Sequence, residues 1–369
     1  MDNPKNQYAV KIQPFDKLSV ETENEWESLV IAQKLNPTLA PFWIRAVFAG
    51  WSLDLSQVKV FLLYTENELS AVIPYLVQRS SSLGLPQRVL RLATCYVSCH
   101  VELIARCPVI DALQVFFTEI PEAWDRVLFE NICEEGPSKT AIEHLSALNG
   151  WLVLDNPVDV APYLPLEGSW EDLIASKNRK TRYKIRKRNE SLSTSDVLRL
   201  EWLTDENDIK KFMTAFVEIE KRSWKADDGV DVKASNREGK YYAQLLPLLA
   251  KRHALAANVL WSGDKPIAYS LCCNWHGWIG HLKTGFDMDY ENISAGALVI
   301  DASLKDAYER NANEFDFLGT SGQLQPDPHK LRWSKKTRRH VTLEIYPKKT
   351  VPKLIYYVKN IKRTLENRS

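Results

Sequence analysis

Four small residues, Ser294-Ala295-Gly296-Ala297, open a long helical pattern late in the chain. A first turn without bulky side chains leaves its backbone N–H groups accessible, and the positive end of the helix dipole lies with them. That combination suits a pyrophosphate, although Ser294 also reads as an ordinary N-cap with Gly296 tolerated beside it. The strand before it, Trp278–Phe286, places His281 and Lys283 on one face and Gly280, Leu282 and Thr284 on the other. His281 reads either as a general base titrating near neutrality or as a polar residue on a solvated face. Asp316 is a lone acid between Phe315 and Phe317. Such a charge needs a partner, or it becomes a base with a raised pKa. Gly319-Thr320-Ser321-Gly322 leads into His329-Lys330-Leu331-Arg332-Trp333, a plausible site rim or a plain solvated connection. Glu218, Glu220 and Trp224, at helical spacing, either border a cleft or form an exposed face.

These residues need elements to position them. Ala254–Trp261, Ile267–Trp275 and Trp278–Phe286 alternate in polarity across short polar turns, which predicts an antiparallel meander. A strand at Glu314–Leu318 and another near His340–Tyr346 follow the helix. The first half shows the same order: a strand at Tyr8–Pro14, two helices, a hairpin from Val58 to Val77, further strands, and a helix at Val109–Ile120. Strands at Arg126–Phe129 and Trp151–Leu154 close it. The chain therefore reads as a duplicated mixed α/β architecture with too little identity for a short-period repeat. Pro157 to Gly168, with three prolines, reads as the link between halves, and Trp170 to about Leu192 as one basic helix.

At 369 residues, with 45% apolar and 26% charged side chains, two ordinary globular domains are expected. The first residues lack the apolar core of a secretory signal, and no run approaches a membrane span. The six cysteines have no metal or redox spacing, so reduced thiols in a cytoplasmic protein and no metal are expected. Net charge is +1, yet eight basic residues and no acid lie between Lys177 and Arg188, and six more cations between Lys330 and Arg339. Local positive surfaces on a near-neutral protein suggest a phosphate-bearing ligand rather than general nucleic-acid affinity. The basic helix lacks the interleaved aromatics of a single-strand binder. Walker-type, Gly-x-Gly-x-x-Gly, His-Glu-x-x-His and Gly-x-Ser-x-Gly motifs are missing from the sequence.

The segment Glu220-Lys221-Arg222-Ser223-Trp224-Lys225, the strand end Lys283-Thr284-Gly285-Phe286-Asp287, Ser294-Ala295-Gly296, Phe315-Asp316-Phe317-Leu318-Gly319 and Lys330-x-x-Trp333 together resemble the CelD-like acetyltransferases of the GNAT superfamily. These are bacterial proteins with two GNAT-like halves, related in fold to the FemAB peptidyltransferases. The resemblance implies two tandem GNAT-like domains: 1–156, cofactor-free; a linker and basic helix at 157–192; an acyl-CoA-binding domain at 193–348; and a basic C-terminal helix at 349–369. It implies acetyl-CoA or another acyl-CoA held by Lys283, Thr284, Gly285, Ser294, Ala295, Gly296 and Ala297, its pantetheine arm along the open edge of Trp278–Phe286. Asp316, His281 and Lys330 are the implied catalytic residues, and Glu220, Trp224 and Trp333 the implied acceptor contacts. The glycine motif is shorter than the superfamily's, with Glu291-Asn292-Ile293 before it. The implied reaction is N-acylation of an amine such as an amino sugar or peptide, in a context of cell-surface polysaccharide synthesis. Two alternatives stand beside it: aminoacyl transfer from charged tRNA, favoured by the basic helix, and a non-catalytic binding protein that kept the fold.

Overall fold

Alternating apolar residues and tight turns build one continuous sheet. In the computed structural model residues 8–94, 100–319, 324–325 and 328–366 are described. The strands are β1 (Tyr8–Pro14), β2 (Lys59–Thr65), β3 (Glu68–Ser82), β4 (Leu85–Leu92), β5 (Ile104–Ala105), β6 (Arg126–Cys133) and β7 (Leu152–Pro165) in the first half. The second half contributes β8 (Leu198–Leu203), β9 (Leu255–Ser262), β10 (Lys265–Trp275), β11 (Trp278–Phe286), β12 (Glu314–Asp316) and β13 (Thr337–Tyr346). Left-handed backbone at Glu66 and Asn67, and again at His276 and Gly277, closes the two-residue hairpins β2–β3 and β10–β11.

The expected duplication is present and extends to strand direction. Each half runs a strand, two helices and an antiparallel meander, then a crossover helix, Val109–Glu119 or Ala295–Glu309. The strand after each crossover pairs in parallel with the last meander strand over three residues only: Val89–Arg91 with Arg126–Leu128, and Trp278–Gly280 with Glu314–Asp316. The fold is mixed α/β with two halves of like topology.

The junction differs from the sequence expectation. Residues 157–165 are not a linker: β7 continues through Pro157 and Pro162 to Pro165. A register slip opposite His340 and Val341 gives Pro157 its place beside a bulge, where a missing N–H costs no ladder bond. The sheet order β1-β2-β3-β4-β6-β13-β7-β12-β11-β10-β9-β8 then shows that the halves exchange their last strands. β13 of the second half pairs with β6, while β7 of the first half pairs with β12. The expected limit at 156 therefore falls inside β7, and each half's last strand lies in the opposite half's part of the sheet.

Helices seal the same junction. Gly50, ending the helix Pro41–Gly50, lies so close to the helix Arg237–Ala250 that a Cβ there would stand 2.6 Å from Tyr241 Cβ. Phe42 packs on Trp275 at 5.4 Å between ring centroids. Trp26, Trp43, Phe61 and Phe116 of the first half and Phe212, Phe216 and Leu245 of the second belong to one continuous core.

The basic segment is two helices, Trp170–Ser176 and Arg179–Thr194, because Asn178 caps a new start by accepting from the Thr181 N–H at 2.9 Å. Arg188 turns inward, its Nε donating to Asp301 Oδ2 at 2.8 Å on the crossover helix Ala295–Glu309. Burial pushes the Asp301 carboxyl up to about 6, and Arg188 offsets only part of that rise. A raised carboxyl pKa means the folded state binds this proton more tightly than the unfolded chain does. Its contribution to stability is therefore largest at low pH and declines as pH rises from about 4 to about 6. We expect wild type to lose stability relative to Asp301→Asn across that window and to hold a constant difference above it, as read from denaturant midpoints at a series of pH values.

No helix among the described residues is long and apolar enough to cross a membrane. No group of three or more potential ligands among them could hold a metal ion. Cys107, Cys133 and Cys272 are free thiols, and Cys95 and Cys99 lie outside the described residues.

Candidate active site

β11 and β12 separate after Gly280 and Asp316, and that divergence organises the site. From His281 onward no strand among the described residues pairs with the outer edge of β11. On its inner edge the register slips between Lys283 and His281, leaving Leu282 as a bulge. A bulge re-aims the backbone locally and is common beside reactive sites. The Thr284 carbonyl points to the open edge, where it accepts from Lys225 Nζ at 2.5 Å. On an antiparallel strand a residue's N–H and C=O face the same side, so the Thr284 N–H faces that opening too. The edge is thus open but not bare, since Lys225 occupies one of its carbonyls.

The helix after β11 starts where expected, at Ala295, but Ser294 does not cap it. Ser294 has left-handed backbone (φ 58°, ψ 44°), is exposed, and its hydroxyl makes no cap bond. The first amides to find carbonyls are those of Ala297 and Leu298, both donating to the oxygen of Ser294, at 2.9 and 3.1 Å. The amides of Ala295 and Gly296 have no acceptor among the described residues. Gly296 and Ala297 are half-buried, and a Cβ on Gly296 would lie 2.7 Å from Phe286 Cδ1. Gly296 therefore lets the helix entry close onto β11; Ala295 is wholly buried, so the Gly296 amide is the orphan donor at this dipole end that an anion could reach.

Two of the resembling motifs interlock. Glu220 and Trp224 do not share a helix: Ile209–Glu220 ends there, and Ser223 precedes a short turn, Trp224–Asp227. Glu220 is completely buried, not an acceptor contact. It accepts from Lys225 Nζ at 2.6 Å, Tyr269 Oη at 2.5 Å and the Val232 N–H at 3.0 Å. Burial, the largest influence, holds the Lys225 ammonium below the ordinary lysine value despite Glu220, and burial with Glu220 pushes the Tyr269 phenol up. Gly285 permits this approach, since a Cβ there would stand 2.7 Å from the Tyr269 ring. Arg222 spans to Asp287 at 2.6 Å and to the Pro266 carbonyl at 2.8 Å. Lys283 is tied to Glu238 at 2.5 Å. Trp224, 48% exposed, is the one expected acceptor contact left facing solvent.

The expected acid–base groups change roles. His281 is buried, its Nε2 without a partner among the described residues. Burial first, then the charges of Lys330 and Lys225, push its pKa down to about 3. The ring is neutral at physiological pH and too weakly basic to serve as the general base. Asp316 is wholly buried, yet its carboxyl lies below the ordinary value rather than above it. Burial alone would raise it; contacts with His100, Arg338 (3.1 Å) and the Leu318 N–H (2.8 Å) prevail. Asp316 is thus an ionised partner and not a raised-pKa base. Lys330 Nζ donates to the Leu318 carbonyl at 2.8 Å and ties down the end of β12. Trp333 is buried against Trp170 and accepts at its carbonyl from Lys177 Nζ at 2.6 Å, so it packs the basic segment and does not face an acceptor. Thr320, Ser321 and Gly322 of the expected rim lie outside the described residues.

His100 went unnoticed in the sequence. Its Nδ1 stands 3.4 Å from Asp316 Oδ2, and its side chain keeps 15% exposure at the point where β11 and β12 part. Its carbonyl is anchored by Asn36 Nδ2 at 2.7 Å. Its ring stacks on His340, whose Nδ1 lies 2.6 Å from Asp159 Oδ1. A Cβ on Gly319 would strike Asp159 at 2.2 Å, which explains the glycine that follows β12. An imidazole held by a carboxylate, partly open to solvent, can accept a proton.

Residues 179–331 match the family model described as the acetyltransferase (GNAT) domain. No curated protein matches the chain by sequence. Among solved structures the chain is similar to FemX, at 12% identity over 89% of this chain and 96% of that one, with a TM-score of 0.63. It is also similar to the C-terminal domain of a putative lysylphosphatidylglycerol synthetase from Agrobacterium fabrum, at 13% identity, 93% and 95% coverage and TM-score 0.52. L-PGS from Bacillus licheniformis gives 11% identity, 94% and 97% coverage and TM-score 0.52. At such identities the likeness is one of fold.

Proposed function

We propose that the chain is an acyltransferase that moves an acyl group from acyl-CoA to an amine, supported by the match of residues 179–331 to the acetyltransferase (GNAT) domain and by the fold shared with FemX. The observation that carries this reading is the pairing of the orphan Gly296 amide at the helix entry with the open, bulged edge of β11. Acyl-CoA, when bound, supplies an activated thioester. The Gly296 amide, at the positive end of the helix, would hold its phosphates, and the edge of β11 its extended arm. The Thr284 N–H is aimed to donate to an acyl oxygen gaining negative charge. His100, oriented by Asp316, would take the proton from the amine, and Trp224 would border the acceptor.

Ser294→Asp tests the carrier site without disturbing the core, because Ser294 is exposed and Asp tolerates left-handed backbone. We expect calorimetry to show saturable acetyl-CoA binding by wild type, weakened about tenfold or more in Ser294→Asp by repulsion at the helix entry. Absence of binding by wild type, together with no thiol release across an amine panel, would remove this reading.

A second reading has its own support. Arg179, Lys180, Arg182, Lys184, Arg186 and Lys187 are all exposed on the helix Arg179–Thr194, as a polyanionic aminoacyl-tRNA donor would require. Tight tRNA binding that declines steeply with salt, in a chain indifferent to acetyl-CoA, would favour it.

A further inference from the structure

The last helix, Thr350–Glu366, is mounted the opposite way round from an ordinary surface helix. Pro352 and Ile355 face the protein, Lys359 Nζ donates to Glu344 Oε2 at 2.7 Å, and Arg363 bonds the Asp155 carbonyl. Its large apolar residues point outward: Val351 is 44% exposed, Leu354 55%, Tyr357 47%, Val358 40%, Ile361 61% and Leu365 62%. At about 100° per residue these six fall within a single sector roughly 120° wide, opposite the docked side. Exposed Lys353 and Lys362 border that sector on its two flanks, and exposed Lys348 and Lys349 precede it. From Pro347 to Leu365 the segment has six cations and no acid.

We propose that this helix lies on an anionic lipid bilayer, its outward apolar sector in the headgroup–acyl boundary and its flanking lysines against acidic headgroups. Three observations select that occupant. A helix fastened along one side offers a single sector, which a flat surface can cover, whereas a protein groove that encloses a helix could not reach around it. A second copy would set cation against cation, with no acid in the segment to offset them. The charge is complementary to an acidic bilayer, and the sector sets six exposed large apolar side chains on one face. The proposal concerns a helix lying in the interface, and it does not depend on the identity of the acyl donor.

The test is flotation of the full chain with vesicles of phosphatidylcholine alone and of equimolar phosphatidylcholine and phosphatidylglycerol. Wild type is expected to float with the phosphatidylglycerol vesicles, less so as salt rises, and to stay behind with phosphatidylcholine. The double variant Leu354→Glu/Ile361→Glu is expected to partition about tenfold or more weakly. Both positions are exposed, so its thermal midpoint should match wild type. Lys353→Glu/Lys362→Glu is expected to lose the preference for phosphatidylglycerol. Failure of wild type to float, or equal flotation of the apolar double variant, would overturn the proposal. A concentration-dependent dimer in light scattering, abolished by Leu354→Glu/Ile361→Glu, would also overturn it and assign the sector to a second copy.

Discussion

Glu220→Ala is expected to lower the unfolding free energy by about 3–5 kcal/mol, the usual effect of stranding a buried charge by removing its partner. One carboxylate serves the Lys225 ammonium, the Tyr269 hydroxyl and the Val232 amide, and none of these can turn to water instead. Tyr269 and Glu220 are entirely buried, and Lys225 nearly so. The denaturant midpoint should fall sharply with the slope unchanged. Replacing both ends of the pair, as Glu220→Leu/Lys225→Met, should recover part of the loss, because no unpaired charge then remains. A midpoint within the range of ordinary surface substitutions would show that this network contributes little. Damage of this kind would also reach the candidate site, since Lys225 is what holds the Thr284 carbonyl.

His100→Asn should lower kcat by about 10²- to 10⁴-fold, the customary contribution of a positioned general base. Acetyl-CoA binding should be little changed, because His100 lies at the end of β12 and not at the helix entry near Ala295. Asn keeps a polar side chain beside Asp316, so the fold should survive; its melting temperature supplies the control. Rate should recover in part at high pH, where the acceptor amine loses its own proton without help. A kcat within threefold or so of wild type would return His100 to a purely structural role beside Asp316. Asp316→Asn should give an intermediate loss, since it removes the group that orients the ring while leaving the ring in place.

Local pattern made the elements readable, and long-range pairing hid their roles. The meander Ala254–Phe286, the helix entry at Ala295 and the repeated order of the two halves depend on alternation, turn residues and small side chains, all visible within short windows. The exchange of β7 and β13 depends on which strand meets which across the sheet, and the prolines of 157–165 read as a linker because the bulge beside Pro157 belongs to a register no short window shows. The titration of His281 and Asp316 could not be read from neighbours in sequence. Burial depresses the first, while His100, far away in the chain, and Arg338 hold the second ionised. The motif Glu220–Lys225 was recognisable as a pattern, but its purpose, bracing β11 through Gly285, Thr284 and Asp287, needs three dimensions.

The reciprocal handing-over of final strands bears on how this molecule can change. A chain cut near residue 193 would release neither portion, because each piece still completes its neighbour's sheet through ordinary backbone pairing. Without the first half, the second would present a raw strand edge at β12, so the two portions stand or fall together as one sheet.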